Sequence, residues 1–230
     1  NSYDFSGLAK PPHASMGVIN IARLFNGQNL MTFEGKSIKH QGLGQIFGAV
    51  SDDFESFKPL NNGYPIFSAT NVSSWPVKKV CNPRIIALEN EKLYMLSFNG
   101  EFESGMYAIG LAFSKDLKNW EEHPANPLLC PTGIPLNYPF SGRIEGGIIP
   151  KEDLLKKQNS IRMFFMAIPR LALNHENGVI GTCTGIISDE KKYDFTRISE
   201  HLNEIVVAKD NTEKAHEIIV IKKDPKSTYP

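Results

Sequence analysis

Four charged side chains have neighbours that give them chemical interest. Glu145 lies between Arg143 and the pair Gly146-Gly147. A carboxyl group serves as a general acid or base when its surroundings move its pKa toward neutrality. Arg84 directly follows Pro83 in Cys81-Asn82-Pro83-Arg84, and Arg170 directly follows Pro169. The guanidinium fork suits bidentate recognition of phosphate or of vicinal hydroxyls. Two roles stay open for Glu145: an acid/base group, or a structural carboxylate paired with Arg143 or Arg84. Two stay open for Arg84 as well: a ligand contact, or a buried ion pair that braces neighbouring elements.

The elements that must position these residues show themselves as repeats. Gln28-Asn29-Leu30-Met31-Thr32-Phe33-Glu34-Gly35 is a strand ending in a turn. It returns as Lys92-Leu93-Tyr94-Met95-Leu96-Ser97-Phe98-Asn99-Gly100 and, more loosely, as Ile161-Arg162-Met163-Phe164-Phe165-Met166-Ala167. A second motif follows each copy: Phe47-Gly48-Ala49-Val50-Ser51-Asp52-Asp53-Phe54, then Ile109-Gly110-Leu111-Ala112-Phe113-Ser114-Lys115-Asp116-Leu117, then Thr184-Gly185-Ile186-Ile187-Ser188-Asp189. Ser51, Ser114 and Ser188 stand 63 and 74 residues apart. Short β-branched and aromatic runs punctuated by Gly, Asn and Asp read as β-strands and turns, and helical periodicity is nearly absent.

A period near 65 with about four strands suits a β-propeller blade with long loops. The competing reading is a β-sandwich with accidental similarity. The expected organisation is one propeller domain over 1–230, with blades near 15–68, 80–131 and 143–207. Residues 215–221 would begin a further blade. An opening strand without a partner would leave an exposed edge, so a truncated ring is the expectation. Residues 152–157 suit a short helical turn, and 198–207 a brief helix or a strand.

Composition narrows the function classes. The chain has 230 residues, 41 % of them hydrophobic and 22 % charged, which is globular rather than disordered. Its 25 basic residues balance 25 acidic ones, so no global field draws in nucleic acid. No apolar run is long enough to span a bilayer as a helix. Cys81, Cys130 and Cys183 are widely spaced and odd in number, so disulfides are not expected to hold the fold, and no zinc pattern appears. There is no Gly-rich phosphate loop and no nucleophile elbow. Asn71-Val72-Ser73 matches a glycosylation sequon. The chain starts without Met, which favours a processed, exported protein, secreted or periplasmic.

The second unit, from Cys81-Asn82-Pro83-Arg84-Ile85-Ile86 to Gly110-Leu111-Ala112-Phe113-Ser114-Lys115-Asp116-Leu117-Lys118-Asn119-Trp120, resembles the five-bladed β-propeller glycosidases. That group includes the arabinanase, invertase and β-mannoside phosphorylase families. Asn82-Pro83-Arg84 is similar to the Asp-Pro-Arg motif of the mannoside phosphorylases (glycoside hydrolase family 130). Arg143-Ile144-Glu145-Gly146-Gly147-Ile148-Ile149-Pro150, followed by Met163 to Arg170, resembles their third-blade pattern. The resemblance covers roughly residues 15 to 190.

The resemblance implies a carbohydrate-active protein that cleaves glycosidic bonds by hydrolysis or phosphorolysis. Its substrate would be an oligosaccharide or glycoside such as a β-mannoside. It needs no cofactor, and inorganic phosphate is a candidate co-substrate. Glu145 would be the acid/base, and Asn82 would contact a sugar hydroxyl. Arg84, Arg143 and Arg170 would hold substrate or phosphate, and Arg23 is expected to match Arg84 in the first unit. Trp75, Tyr138 and Phe140 could stack on a sugar ring, whereas Trp120 is expected to pack between blades. His13, His175 and His216 read as solvated loop residues or as sugar contacts.

The departures from the family point the other way. The motif's acid is Asn82 here. An amide neither exchanges the catalytic proton nor stabilises a cation by charge. The first unit, Met16 to Arg23, also lacks the family's carboxylate. A propeller that binds sugar without catalysis, or that serves only as a scaffold, is therefore the alternative reading.

Overall fold

The computed structural model describes residues 13–37, 44–89, 92–124, 126–129, 143–149, 160–168, 179–186, 204–209 and 217–222. They are almost all strand or turn. The first four strands are β1 (His13–Arg23), β2 (Asn29–Ser37), β3 (Gly44–Ser51) and β4 (Lys58–Pro59). They form one antiparallel sheet in chain order. Next come β5 (Lys79–Leu88), β6 (Leu93–Glu101), β7 (Tyr107–Ser114) and β8 (Glu121–Glu122), again paired in chain order. The third group holds β9 (Arg143–Ile148), β10 (Ser160–Ile168), β11 (Val179–Ile186), β12 (Glu204–Lys209) and β13 (Glu217–Lys222). Among the described residues no helix is long and apolar enough to cross a membrane.

The chain forms two compact units, residues 1–105 with 110–126, and residues 106–109 with 127–230. The first contains β1–β6, most of β7, and β8. The second contains the Tyr107 end of β7, where Tyr107 pairs in parallel with Arg143, and β9–β13.

The repeated Ser-x-Asp signature turns out to be one turn used twice. Ser51 Oγ accepts the backbone N–H of Phe54 at 2.9 Å, and Asp53 Oδ1 accepts those of Glu55 and Ser56 at 2.8 and 2.9 Å. Ser114 Oγ accepts the N–H of Leu117 at 2.9 Å, and Asp116 Oδ1 accepts those of Lys118 and Asn119 at 2.8 Å each. Phe54 and Leu117 take φ of +64° and +62°. The side-chain acceptors offset the cost of that left-handed backbone by satisfying donors no strand reaches. Ser188-Asp189 lies outside the described residues.

Aromatic packing fills the core of the first unit. Phe67 lies 4.8 Å from Phe98 and 5.9 Å, edge-on, from Trp120. Phe98 in turn stacks on Trp75 at 6.3 Å. Phe67 follows the first sheet and bridges back to Ile46, while Phe98 and Trp120 belong to the second repeat. Trp120 therefore packs between the two repeats, as the resemblance implied. Gly110 lies beneath the Phe98 ring, where a Cβ would come within 2.6 Å of Cζ. Each buried ring contributes on the order of 1.5–3 kcal/mol from apolar area alone.

At the end of the chain one open reading is decided and one expectation changes. Of the helix or strand expected over 198–207, the described residues 204–209 take the strand. Residues 217–222 are not an unpartnered opening strand, because β13 pairs antiparallel with β12 along all six residues, from Glu204↔Lys222 to Lys209↔Glu217. The hairpin satisfies the backbone groups that an isolated edge would expose. Residues 152–157 lie outside the described residues.

Candidate functional site

The leading strand of each repeat carries the candidate residues, and each is bulged at the same place. On β5, Cys81 faces Asn99 and Arg84 faces Ser97, so Asn82 and Pro83 together oppose one residue. On β9, Glu145 faces Met166 and Ile148 faces Phe164, so Gly146 and Gly147 share one opposing residue. On β1, Gly17 faces Glu34 and Ile19 faces Phe33, again with one residue extra. Asn82 and Gly146, the first residues of their bulges, have φ of +50° and +72°. Asn and Gly are the residues that adopt this conformation at least cost.

These registers correct the alignment of the units. The counterpart of Arg84 is Asn20 on β1 and Ile148 on β9. Arg23 lies three positions further along, opposite Asn29, and its Nη1 donates to Asn29 Oδ1 at 2.9 Å. Arg23 and Arg84 therefore occupy different register positions on their strands. By register the counterpart of Glu145 is Cys81, which is buried and forms no disulfide.

On β5 and β6 four polar side chains share one face. Asn82 Nδ2 donates to Asn99 Oδ1 at 3.1 Å. Asn99 is fully buried and Ser97, opposite Arg84, is nearly so. Arg84 is half-buried. From β1, Asn20 Oδ1 accepts the backbone N–H of Ile85 at 3.1 Å, tying the leading strands of two repeats together beside the bulge. Asn20 carries no motif signature, and Asn99-Gly100, expected as the turn that ends the repeated strand, lies within β6 instead; only the pairing register shows their place. Among the described residues no carboxylate pairs with Arg84. The acid of β6, Glu101, is held by Lys79 at 2.8 Å and Lys78 at 3.4 Å.

Trp75, expected to stack on a sugar ring, is buried against other rings. It is 6 % exposed, with Phe102 edge-on at 5.2 Å and Phe98 stacked on it. Burying that large apolar area gains more than leaving a ring open in the preceding loop. Arg143 and Glu145 lie on β9 opposite Ile168 and Met166. Arg170, Tyr138, Phe140, His175 and His216 lie outside the described residues. His13 begins β1.

A second polar centre went unmarked in the sequence. Glu122 Oε2 accepts from Ser73 N, Ser73 Oγ and Ser74 N at 2.8, 2.9 and 3.0 Å, and Oε1 accepts from Ser74 Oγ at 3.0 Å. Burial alone would raise this carboxyl, but the donors of Ser73 and Ser74 together hold it below its usual value. It is an anchor for the loop around Asn71-Val72-Ser73, beside a surface cavity of about 390 Å³. Its acceptor sites are already used, so it is poorly suited to proton transfer. Among the described residues no three His, Cys, Asp or Glu side chains could together hold a metal ion.

No protein-family profile and no curated protein matches the chain. Solved structures do match. A thermostable family-43 glycoside hydrolase superposes with a TM-score of 0.56 at 11 % identity, covering 89 % of this chain and 57 % of that one. Fructan 1-exohydrolase IIa from Cichorium intybus, in complex with 1-kestose, gives 0.54 at 17 % identity, covering 80 % and 33 %. The chain thus spans about a third to three fifths of the length of these two proteins. At such identities the likeness shows the fold alone: an all-β architecture shared with these two solved structures.

Proposed function

We propose that the chain is part of a five-bladed β-propeller that acts on glycosidic bonds of an oligosaccharide, nearest by sequence resemblance to the β-mannoside phosphorylases. In this reading Glu145 is the acid/base. Arg84, Arg143 and Arg170 hold the substrate or phosphate, and Asn82 contacts a sugar hydroxyl. Tyr138 offers its ring to the sugar. The observation that carries the reading is the β5 bulge. It sets Asn82 in a left-handed conformation and keeps Arg84 on the same polar face. Bulges of this kind re-aim a side chain and are over-represented next to active sites. If phosphate is the nucleophile, one carboxyl suffices, because no second carboxylate is needed to activate water.

A second reading has its own support. Asn82 donates to Asn99 and is neutral, so this position binds rather than transfers a proton. A sugar-binding propeller without catalysis fits that arrangement.

Sugar release from an oligosaccharide panel, with and without inorganic phosphate, separates the readings. Release that requires phosphate supports phosphorolysis, and release without it supports hydrolysis. Either should be abolished by Glu145→Gln. Binding seen as a raised Tm, without release, favours the second reading. Neither release nor binding refutes both.

A further inference from the structure

An asparagine followed by glycine loses its side-chain amide more readily than other asparagines, because glycine has no Cβ to hinder its own backbone nitrogen as it attacks the amide carbon. The chain holds four such pairs, Asn26-Gly27, Asn62-Gly63, Asn99-Gly100 and Asn177-Gly178, of which the last lies outside the described residues. The other three stand in unlike settings. Asn99 is fully buried, and Gly100 pairs with Val80 in the β5–β6 ladder beneath the Trp75 ring. Asn26 is exposed, but Gln28 holds its amide at both ends. Asn26 Nδ2 donates to Gln28 Oε1 at 2.7 Å, and Oδ1 accepts the Gln28 N–H at 3.0 Å. Asn62 is exposed, and the short 3-10 turn that carries it, Leu60–Gly63, buries no residue.

The backbone sets that turn apart as well. Asn61, Asn62 and Gly63 have φ of +49°, +54° and +79° in succession. Two L-residues side by side in the left-handed region carry a backbone cost, and opening the turn relieves it. The Tyr64 N–H closes the turn by donating to Asn61 O at 2.9 Å, and Tyr64 itself is exposed. In the closed turn the ψ of Asn62 is +31°, which points the Gly63 nitrogen away from the Asn62 side chain. Attack therefore waits for the turn to open, and no buried side chain has to be withdrawn for that.

We propose that Asn62 is a site of spontaneous covalent modification, gated by opening of this turn. The Gly63 nitrogen bonds to Asn62 Cγ, the Cγ–Nδ2 bond breaks, and the amide leaves as ammonia with the proton from Gly63. Water then opens the succinimide ring at either carbonyl. One product is aspartate; the other is isoaspartate, whose main chain runs through the former side chain. Water enters and ammonia leaves, so no oxidant, metal or partner is needed. Either product adds a negative charge to an exposed loop of the first unit.

The experiment incubates the folded 230-residue chain in mildly alkaline buffer and follows each Asn-Gly peptide by mass spectrometry, with enzymatic methylation as the readout for isoaspartate. Asn62 should lose its amide at least about ten times faster than Asn26 or Asn99, because its setting opens most readily. In urea, where turn and strands are gone, the three rates should draw together, which shows that the ranking comes from the fold. Gly63→Ala should slow the loss at Asn62 by about tenfold or more, since a Cβ then hinders the attacking nitrogen, and should leave Asn26 unchanged. A folded-chain rate at Asn62 no faster than at Asn26 overturns the proposal. So does an Asn62 that stays intact in the folded chain while converting in urea, since the turn then protects it. Loss undiminished in Gly63→Ala overturns it too, because the Gly63 nitrogen is then not the nucleophile.

Discussion

Adding a single methyl group at Gly110 tests the core of the first unit most directly. A Cβ built there lies 2.6 Å from Phe98 Cζ, 3.0 Å from Cε1 and 3.2 Å from Cε2. The ring cannot easily retreat. Phe98 is 1 % exposed, with Phe67 at 4.8 Å and Trp75 at 6.3 Å. Gly110→Ala must therefore displace either a packed ring or the β7 backbone. Overpacking of this kind costs about 1–3 kcal/mol. For a chain of this length, ~2 kcal/mol lowers Tm by about 4–8 °C. Thermal unfolding followed by near-ultraviolet circular dichroism reads this out. Phe98→Leu removes ring atoms, so the double variant should recover part of the loss, with a coupling of about 1 kcal/mol. Gly105→Ala is the contrast. Nothing lies within 4 Å of its Cβ position, yet its φ is +79°, so its cost is backbone strain that Phe98→Leu does not relieve. Two results would refute the reasoning: a Gly110→Ala protein that melts within about 1 °C of wild type, or an equal loss from Gly110→Ala when Phe98→Leu is already present.

Other predictions follow from the turns, the anchor and the bulge. The Asp53 carboxyl is held down to about 2 by the backbone N–H groups of Ser56 and Glu55, and that of Asp116 is held well below its ordinary value by those of Asn119 and Lys118. Groups with depressed folded pKa values contribute stability above their unfolded values near 4, and it is lost as pH falls through the folded values. Stability should therefore drop between about pH 4 and pH 2, and the drop should shrink in Asp53→Asn with Asp116→Asn; an unchanged acid limb counts against the turns. Glu122→Ala removes the acceptor of Ser73 and Ser74, which are exposed so that water takes its place, and should lower stability by about 0.5–1.5 kcal/mol in urea unfolding, with faster amide exchange at residues 73–74. Asn82→Asp sets a carboxylate against Asn99 Oδ1 and should cost about 1–3 kcal/mol at pH 7, recovering as pH falls and the acid protonates.

The sequence by itself determined the strands and their order of repetition. Short β-branched and aromatic runs become strands in water by burying their side chains, as β6 does along all its residues, and Ser-x-Asp pairs satisfy their own turn donors locally. Both are properties of short segments, so Ser51–Asp53 and Ser114–Asp116 were legible without any partner. The candidate site was legible only in part. Asn82, Pro83 and Arg84 stood out as a motif, but the bulge that aligns Arg84 with Asn20 depends on pairing with β6 and β2. Arg23 looked equivalent to Arg84 because linear spacing does not record the pairing register, which sets it three positions beyond Asn20. Trp75 looked available because its loop position precedes the motif, while its burial comes from Phe98 and Phe102, more than 20 residues away. Asn99 carried a local turn signal that its pairing within β6 overrode, and Glu122 carried none, since its partners Ser73 and Ser74 are distant in the chain. Tertiary structure decided these cases because register, burial and hydrogen-bond satisfaction are relations between segments, and no segment contains them alone.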